Sequence, residues 1–256
     1  MKIVVCVKQV PDSTAKVVVE QGKVVWGDAP LVMNPWDEYA VEAAIQQKEA
    51  LGGTITAVSI GDESAKETLK RAIAMGADDA ILINDPALLN LDTQATAGVL
   101  AAAIQKIGAV DMAFFGKQAI DGDAGLVPAQ TARLLGWPAL TLASVIKVEG
   151  GNVRVERGIE EGRQILTSKL PAVFSLTKDF GEPRYPSFMG IRKASRAEIP
   201  AWSLAGLGIP APASVIAWPE MLNTPSREVI CELITGNSPE EIAETLATKI
   251  LAEKVL

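Results

Sequence analysis

The sequence contains no histidine and only two cysteines, and this scarcity removes several kinds of chemistry. Without an imidazole, Ser-His-Asp catalysis and histidine general-base chemistry are excluded, so an acid–base step would need carboxylate, lysine or tyrosine side chains. Cys6 and Cys231 each lie in an apolar run, which favours two buried thiols over a disulfide or a metal pair. We therefore predict no catalytic residue and no metal site. A carrier of a redox cofactor needs neither, because the cofactor performs the electron chemistry.

An excess of positive charge and a long apolar run are also absent. The formal net charge of −7 argues against nucleic acid as a ligand, since a phosphate backbone is bound mainly through clusters of Lys and Arg. No uninterrupted apolar run approaches the roughly 20 residues that a membrane span requires. The segment that begins at Lys2 is predicted to be a strand instead of a signal peptide, so we expect a cytoplasmic protein without a membrane span.

Two common phosphate-binding motifs, the Walker loop and G-x-G-x-x-G, are missing as well. In residues 116–128, GKQAIDGDAGLVP, the Gly-Lys pair is followed by Gln118 and not by Ser or Thr. The segment is nevertheless typical of a strand end, a glycine-bearing loop and a helix start, which together bring backbone N–H groups and a positive helix end to a phosphate. Spacing alone is equally compatible with an ordinary turn between a strand and a helix.

Apolar runs and amphipathic stretches alternate along the first half of the chain. The predicted strands are residues 3–7, 54–60, 80–83 and 111–115, the predicted helices are 37–51, 64–75, 93–107 and 125–135, and a β-hairpin over 17–26 turns at Gln21-Gly22. This succession predicts an α/β fold with a doubly wound, Rossmann-like parallel sheet that binds its ligand at the carboxyl ends of the strands.

After Pro138 four predicted strands, 142–149, 153–157, 164–168 and 173–176, follow one another without helices. They predict a β-rich extension of the same sheet or a small antiparallel layer on it. We therefore predict an α/β nucleotide-binding domain with its β extension over residues 1–178. A partner-recognition loop, an extended arm and a C-terminal helix are predicted for residues 179–256.

The arm, from residue 179 to about 237, is rich in proline and has little periodicity. Phe188, Met189, Trp202 and Trp218 would expose a large apolar surface if the arm were free, which implies a partner chain. The last segment predicts a helix with Ser238 as N-cap, Pro239 in the first turn and Glu241 completing a capping box. Its apolar stripe consists of Ile242, Leu246, Ile250 and Leu251.

Several stretches resemble, in the same order, the β subunit of the electron transfer flavoprotein family. They are VVCVKQVPD (4–12), MNPWDE (33–38), AMGAD (74–78), GKQAIDGD (116–123), RGIEEGRQ (157–164) with Pro171, and EPRY (182–185). Each match alone is weak, but their joint order is specific and extends over most of the chain.

The resemblance implies an adenine-nucleotide site, with the backbone amides of Asp121, Gly122 and Asp123 at the phosphates. The implied cofactor-binding residues are Cys6, Val7, Lys8, Asn34, Asp37, Val58, Ser59, Gly61, Gly116, Gln118, Ala119, Asp121, Gly122, Asp123, Ala124, Gly125, Val127 and Pro128. For the side chains of Asp121 and Asp123, a role as plain caps of the loop is an equal alternative. Asn34 also fits an Asn-Pro turn that precedes a helix.

The loop departs from the family pattern at three positions. Members that resemble the electron-bifurcating group carry Thr, Gln and Gly where this chain has Ala124, Leu126 and Pro128, so two potential hydrogen bonds to phosphate are lost. The rest of the loop is closer to the bifurcating group than to the AMP-binding group. The expected nucleotide is therefore a second FAD, with AMP as the alternative, and NAD(H) would be a further ligand of a bifurcating protein.

The resemblance also implies partners. A larger α subunit would bind the main FAD, with this chain forming one wall of the flavin site, and electrons would pass to or from an acyl-CoA dehydrogenase-type flavoenzyme. Arg184, Tyr185, Phe188 and Met189 are the expected partner-binding residues, although Phe188 could instead pack on its own subunit.

Residues 157–164 are expected near the subunit interface or as a solvated hairpin turn. The rival hypothesis is a stand-alone nucleotide-binding regulatory protein that resembles universal stress proteins.

Overall fold

The computed structural model describes residues 1–216, 220–223, 225 and 231–253. The chain forms two compact units, Met1–Glu220 and Met221–Leu256. The boundary predicted between residues 178 and 179 divides the chain by function, into a nucleotide-binding part and a partner-binding part, and it stays a prediction.

The strands are β1 (Lys2–Cys6), β2 (Gln9–Pro11), β3 (Val18–Glu20), β4 (Lys23–Val25), β5 (Leu31–Met33), β6 (Thr54–Ile60), β7 (Asp79–Ile83), β8 (Met112–Gly116), β9 (Ala139–Glu149), β10 (Asn152–Ile159), β11 (Gly162–Lys169), β12 (Ala172–Leu176) and β13 (Ala201–Trp202). The helices are α1 (Pro35–Leu51), α2 (Lys66–Met75), α3 (Thr93–Ile107), α4 (Val127–Leu135), α5 (Phe188–Ser195), α6 (Leu204–Leu207) and α7 (Pro239–Ala252). Short 3₁₀ turns occupy Glu63–Ala65, Pro86–Leu88 and Lys178–Phe180.

A nine-stranded sheet in the order β11-β10-β9-β12-β8-β1-β6-β7-β13 forms the centre of the first unit. The strands from β9 to β13 in this order pair in parallel. At the other edge β10 pairs antiparallel with β9, and β11 pairs antiparallel with β10. The predicted doubly wound parallel sheet with a β-rich extension is thus confirmed.

The central strands are apolar on both faces because helices cover both sides of the sheet. On β1, Ile3 and Val5 belong to one buried cluster together with residues of α1 and α2, while Val4 and Cys6 belong to a second cluster with residues of α3 and α4. This alternation explains why the strand appears in the sequence as a continuous apolar run.

The chain reverses its direction of winding between β1 and β8. From β1 it passes through α1 to β6 and on to β7 on one side, and after α3 it returns to β8 on the other side of β1. In open α/β sheets the crevice at such a switch point, at the carboxyl ends of the two strands, is the common place for a ligand. The fold therefore predicts a ligand site at the residues that follow Cys6 and Gly116, where β1 and β8 end.

Residues 9–33 leave this edge as an antiparallel ribbon in which β2 pairs with β5 and β3 pairs with β4. Gln21 and Gly22 have φ values of 50° and 73°, the two positive angles that a tight hairpin turn requires. The predicted hairpin is confirmed.

The stretch after residue 179 is more regular than its prolines predict, because α5, β13 and α6 lie within residues 188–207 and β13 joins the sheet beside β7. Trp202 is half-buried, with the Lys106 ammonium 4.4 Å from its ring centroid, while Trp218 lies outside the described residues. Among the described residues no helix is both long enough and apolar enough to span a membrane.

The second unit contains α7. As predicted, Ser238 is the N-cap, and its Oγ accepts a hydrogen bond from the Glu241 N–H at 3.2 Å. The Glu241 carboxylate accepts at 2.8 Å from the N–H of Asn237, one residue before the N-cap that a capping box would use. Leu246, Ile250 and Leu251 of the apolar stripe are exposed. The prediction that Cys231 is buried is wrong: it is exposed, because residues 231–237 form neither a helix nor a strand in which an apolar run would be enclosed.

Candidate nucleotide-binding site

The candidate site lies where β1 and β8 end. Val7 and Lys8 follow β1, and the loop of residues 117–126 connects the end of β8 to α4. The first turn of α1 lies beneath both, so that residues far apart in sequence meet at one edge of the sheet.

The Asp37 carboxylate joins the two strand ends. Its Oδ2 accepts a hydrogen bond from the Lys8 N–H at 2.7 Å, and its Oδ1 accepts one from the Gly116 N–H at 3.2 Å. Asp37 is buried, so these bonds replace water for a group that would otherwise be costly to enclose. Asp37 was predicted to bind the cofactor, but its oxygens serve the backbone of the site.

Burial raises the pKa of Asp37 to about 7, although the hydrogen bonds from Lys8 and Gly116 oppose the rise. A carboxyl group with such a pKa binds a proton more readily in the folded protein than in the unfolded chain. We therefore expect the junction between β1 and β8 to respond to pH between about 4 and 7.

Gly116 allows this close approach. A Cβ atom at this position would collide with the Asp37 carboxylate and would lie 2.6 Å from the carbonyl carbon of Trp36. Only a residue without a side chain lets the end of β8 touch the first turn of α1.

Asn34 holds the loop. Its Nδ2 donates to the Gln118 carbonyl at 2.8 Å, its Oδ1 accepts from the Ile120 N–H at 3.2 Å, and its own N–H donates to the Lys8 carbonyl at 2.8 Å. Asn34 is fully buried and occupies the N-cap position of α1, yet its side chain serves the loop instead of capping the helix. The predicted turn before α1 is thus confirmed for Asn34, and its role at the cofactor stays a prediction.

Asp121 and Asp123, the two acidic residues of the loop, form hydrogen bonds with side chains of this chain. Lys8 Nζ lies 2.8 and 2.6 Å from the two carboxylate oxygens of Asp121, and the Asp123 carboxylate accepts from the Gln118 amide. The backbone N–H groups of Gly122 and Asp123 donate to the Ala119 carbonyl at 3.3 and 2.8 Å. These two backbone donors, expected at the phosphates, are used within the loop.

The remaining loop leads into α4 through a tight turn. Asp123 and Gly125 have φ values of 52° and 65°, and Leu126 stands at the N-cap, where it has no side-chain oxygen to accept from the first-turn N–H groups. Pro128 lies in the first turn and contributes no donor. The positive end of the α4 dipole is therefore available to a ligand at residues 124–127.

The other predicted residues lie deeper. The Val7 N–H donates to the Val58 carbonyl at 2.9 Å, Ser59 is fully buried, and Gly61 bonds to the Ile83 carbonyl at 3.1 Å. Cys6 is buried, and burial raises the pKa of its thiol well above the usual range. The side chains of Cys6, Val7, Val58 and Ser59 are buried and lie behind the strand ends, whereas Gly61 is partly exposed.

The contact between Lys117 and Trp36 was not predicted from the sequence. The Lys117 ammonium lies 5.3 Å from the centroid of the half-buried Trp36 ring, a cation–π arrangement that fixes a positive charge beside the loop. Both residues stand inside the motifs 33–38 and 116–123, but nothing in the sequence indicates that they meet. Among the described residues, no group of three or more Cys, Asp and Glu side chains is arranged to hold a metal ion.

Comparison with known proteins decides the family. The electron transfer flavoprotein domain matches residues 22–207, most of the chain and the whole of the crevice apart from Cys6, Val7 and Lys8. The chain belongs to the electron transfer flavoprotein family. Curated relatives carry the name of the β subunit, as the motifs predicted.

Three relatives show the breadth of the likeness. The β subunit from Megasphaera elsdenii is 38% identical over the full length of both chains. The "Caffeyl-CoA reductase-Etf complex subunit CarD" of Acetobacterium woodii is 35% identical, again over both full lengths. "Protein FixA" of Azorhizobium caulinodans is 37% identical over 82% of this chain and 77% of its own.

The predicted partner-binding residues of this flavoprotein chain lie on or just before α5. Tyr185, Phe188 and Met189 are 90%, 81% and 67% exposed, so Phe188 does not pack into its own subunit. We call these three residues the aromatic patch. Arg184 differs from them because its guanidinium pairs with Glu42 and Glu49 of α1 at 2.8 and 2.6 Å.

Contacts on the other side of α5 hold the aromatic patch in place. Gly190 packs so closely on the carbonyl of Ala74 at the end of α2 that a Cβ atom would collide with it, and Lys193 Nζ donates to the Ala77 carbonyl at 2.9 Å. Burial raises the pKa of Glu42, but hydrogen bonds from Arg184 outweigh this effect and hold the pKa below its usual value. Arg184 thus fastens the segment to α1, and its predicted direct role in docking stays a prediction.

Gly116→Ala is expected to destabilise the protein by about 1–3 kcal/mol, because the added methyl group meets the backbone of Trp36 and the Asp37 carboxylate. Urea unfolding measures the loss. Gly122→Ala is the matched control, since a Cβ atom there has no neighbour within 4 Å and φ is not positive. Equal stability of the two variants would contradict the close approach.

Asp37→Asn is expected to change how stability depends on pH. With its pKa raised to about 7, Asp37 favours folding most when protonated, so its contribution to the free energy of unfolding falls as the pH rises from about 4 to 7. The excess stability of wild type over the variant should therefore shrink by on the order of 1–4 kcal/mol over this range.

Urea unfolding at several pH values tests this sign. Glu42→Gln is the control: because the pKa of Glu42 is lowered, its contribution is lost only as the pH falls below the usual carboxyl range, and its difference from wild type should stay constant between about pH 5 and 7. A difference for Asp37→Asn that is equally constant would show that the carboxylate is charged throughout.

Proposed function

We propose that this chain is the β subunit of a heterodimeric electron transfer flavoprotein and binds an adenine nucleotide at the switch-point crevice. The observation that carries the proposal is the loop of residues 117–126, which Asn34 and Asp37 hold against the ends of β1 and β8. An ordinary turn between a strand and a helix needs no buried amide and carboxylate to shape it. Family membership supports the flavoprotein assignment.

The donors at the crevice suit a phosphate. Residues 124–127 provide four successive backbone N–H groups in a turn with left-handed residues at Asp123 and Gly125, the kind of turn that gathers donors around an anion. The α4 N-terminus adds partial positive charge, and Lys8 and Lys117 add two ammonium groups. These residues would hold the nucleotide, while Val7, Val58 and Ser59 would lie behind the adenosine.

Charge favours FAD over AMP in this site. A terminal phosphate such as that of AMP carries close to two negative charges at neutral pH, whereas each phosphate of a diphosphate diester carries one. Asp121 and Asp123 lie in the loop, Asp121 already neutralises Lys8, and Pro128 removes a donor. A site with so little net positive charge suits the lower charge per phosphate of FAD, and AMP is the alternative.

The main flavin would be an FAD shared with an α subunit, to which this chain contributes one wall. A bound flavin supplies the electron chemistry, and the chain's own residues bind and orient it. Electrons would pass between an acyl-CoA dehydrogenase-type flavoenzyme and another acceptor in the cytoplasm. If the β-site nucleotide is FAD, NAD(H) becomes a further ligand and electron bifurcation becomes the activity. The resemblance of the loop to that of the bifurcating group supports this version.

The aromatic patch is the proposed docking surface for the partner flavoenzyme. Phe188 and Met189 are exposed on α5 and Tyr185 just before it, and contacts of Arg184, Gly190 and Lys193 fix this segment to the domain, so the surface is rigid before a partner arrives. Exposed, rigidly held aromatic residues are typical anchors of protein interfaces. A stand-alone regulatory protein would have no use for such a surface, and full-length relatives named as β subunits also argue against that rival.

Phe188→Ala is expected to slow interprotein electron transfer about tenfold or more, because an exposed anchor contributes to docking and little to folding. Flavin content and thermal midpoint should stay nearly unchanged. Leu89→Ala removes a comparably exposed leucine elsewhere and should leave the transfer rate as in wild type. A fall of many degrees in the thermal midpoint of Phe188→Ala would identify Phe188 as a core residue instead.

Gly125→Asp is expected to release the β-site nucleotide while the FAD shared with the α subunit stays bound. The new carboxylate repels a phosphate, and Asp tolerates the left-handed backbone of Gly125 better than most residues. Gly125→Asn is the matched control, since it has the same shape without the charge and should retain more nucleotide.

The experiment uses the heterodimer co-expressed with its α subunit, which is denatured so that the released nucleotides can be separated and counted. Two FAD per wild-type heterodimer supports the bifurcating version, and one FAD with one AMP supports the simple carrier. Unchanged nucleotide content in both Gly125 variants would mean that the loop is only a turn and that the proposed site is wrong.

A further inference from the structure

The contact between Lys8 and Asp121 spans the crevice. The ammonium group lies within 2.8 Å of both carboxylate oxygens, and the two residues are 113 positions apart in the chain. One stands at the end of β1 and the other in the loop after β8, so the pair bridges the two walls of the switch point. It does not stabilise a local turn.

Both backbones are fixed, so only the side chains can rearrange. The Lys8 N–H is bound by Asp37 and its carbonyl by the Asn34 N–H, while the loop is held by Asn34 at Gln118 and Ile120. The other charged side chains at the loop have partners of their own, Trp36 for Lys117 and Gln118 for Asp123, and neither forms an ion pair across the crevice. Lys8 and Asp121 are thus the charged pair that a ligand at the loop would meet first.

The pair is weak enough to exchange. The Lys8 side chain is 51% exposed and that of Asp121 19%, and exposed ion pairs contribute only about 0.2–1 kcal/mol. A phosphate offers an ammonium group more charge and more acceptor oxygens than a carboxylate does. Lys8 attracts such a ligand, whereas Asp121 both occupies Lys8 and repels the ligand.

We propose that Asp121 is an internal competitor for Lys8: a phosphate that reaches the loop takes the Lys8 ammonium from Asp121, and this exchange sets the affinity and charge selectivity of the site. The inference rests on the proposed nucleotide site and adds opposite roles for two residues within it. Lys8 binds the ligand, and Asp121 lowers its affinity for highly charged phosphates.

Removing the competitor should therefore strengthen binding. Asp121→Asn keeps the shape of the side chain but loses its charge, and we expect the dissociation constant for AMP to fall about three- to tenfold. Lys8→Met should raise it by a similar factor. In the variant that carries both changes, Asp121→Asn should improve AMP affinity less than it does alone, because the Lys8 ammonium for which Asp121 competes is gone. The improvement that remains measures the direct repulsion between Asp121 and the phosphate.

Equilibrium dialysis against radiolabelled AMP measures these constants on the heterodimer after its β-site nucleotide has been removed, and chromatography of the denatured protein confirms the removal. Glu67→Gln is the matched control, since Glu67 forms an ion pair of the same length with Lys70 on α2 and its loss changes the net charge equally. Raising the salt concentration should weaken AMP binding less in Lys8→Met than in wild type. Thermal unfolding checks that the variants fold.

The outcomes separate this proposal from the proposed function. If wild type binds AMP and Gly125→Asp does not, but Asp121→Asn leaves the affinity unchanged or lowers it, the competition is refuted and the site stands. An equal gain from Asp121→Asn with and without Lys8 also refutes it, because repulsion alone would then account for the effect. If wild type binds AMP no better than Gly125→Asp, the site itself is wrong.

Discussion

The buried carboxylate of Asp37 is the group on which the rest of the site depends. Enclosing a carboxylate in the protein interior is costly, and the cost is offset only when its oxygens receive good hydrogen bonds. Here the donors are the N–H groups of Lys8 and Gly116, the second residue after β1 and the last residue of β8. Satisfying one side chain therefore sets the spacing of the two strands at the point where a ligand would bind.

Asn34 extends the same principle to the loop. The Asn34 amide is fully buried, its Nδ2 donates to the Gln118 carbonyl, and its Oδ1 accepts from the Ile120 N–H. The loop therefore takes its shape from a side chain in the protein core. A loop formed in this way costs little conformational entropy when a ligand binds. The resemblance placed Asn34 and Asp37 near the nucleotide, and the structure gives that position a cause: both act on the backbone that would contact it.

Local patterns predicted most of the fold. Continuous apolar runs gave the buried strands, glycines and capping residues gave the helix ends, and the prediction for 93–107 coincides with α3. The roles of Asp37 and Arg184 could not be predicted in this way, since their partners lie 79 and 142 residues away and nothing local indicates the pairing. Cys231 shows the converse error, because an apolar run predicts burial only where the fold supplies a covering layer.

Helix α1 links the two surfaces for which we propose functions. Its first turn carries Asn34 and Asp37 beneath the loop, while Glu42 and Glu49 on the same helix bind the Arg184 guanidinium that leads into α5. A seventeen-residue helix packed on the sheet is a rigid element, so the distance between the crevice and the aromatic patch is fixed within the first unit. For a carrier of electrons this is a useful constraint, because a partner docked on Phe188 would meet the site at a constant separation without a rearrangement of this chain.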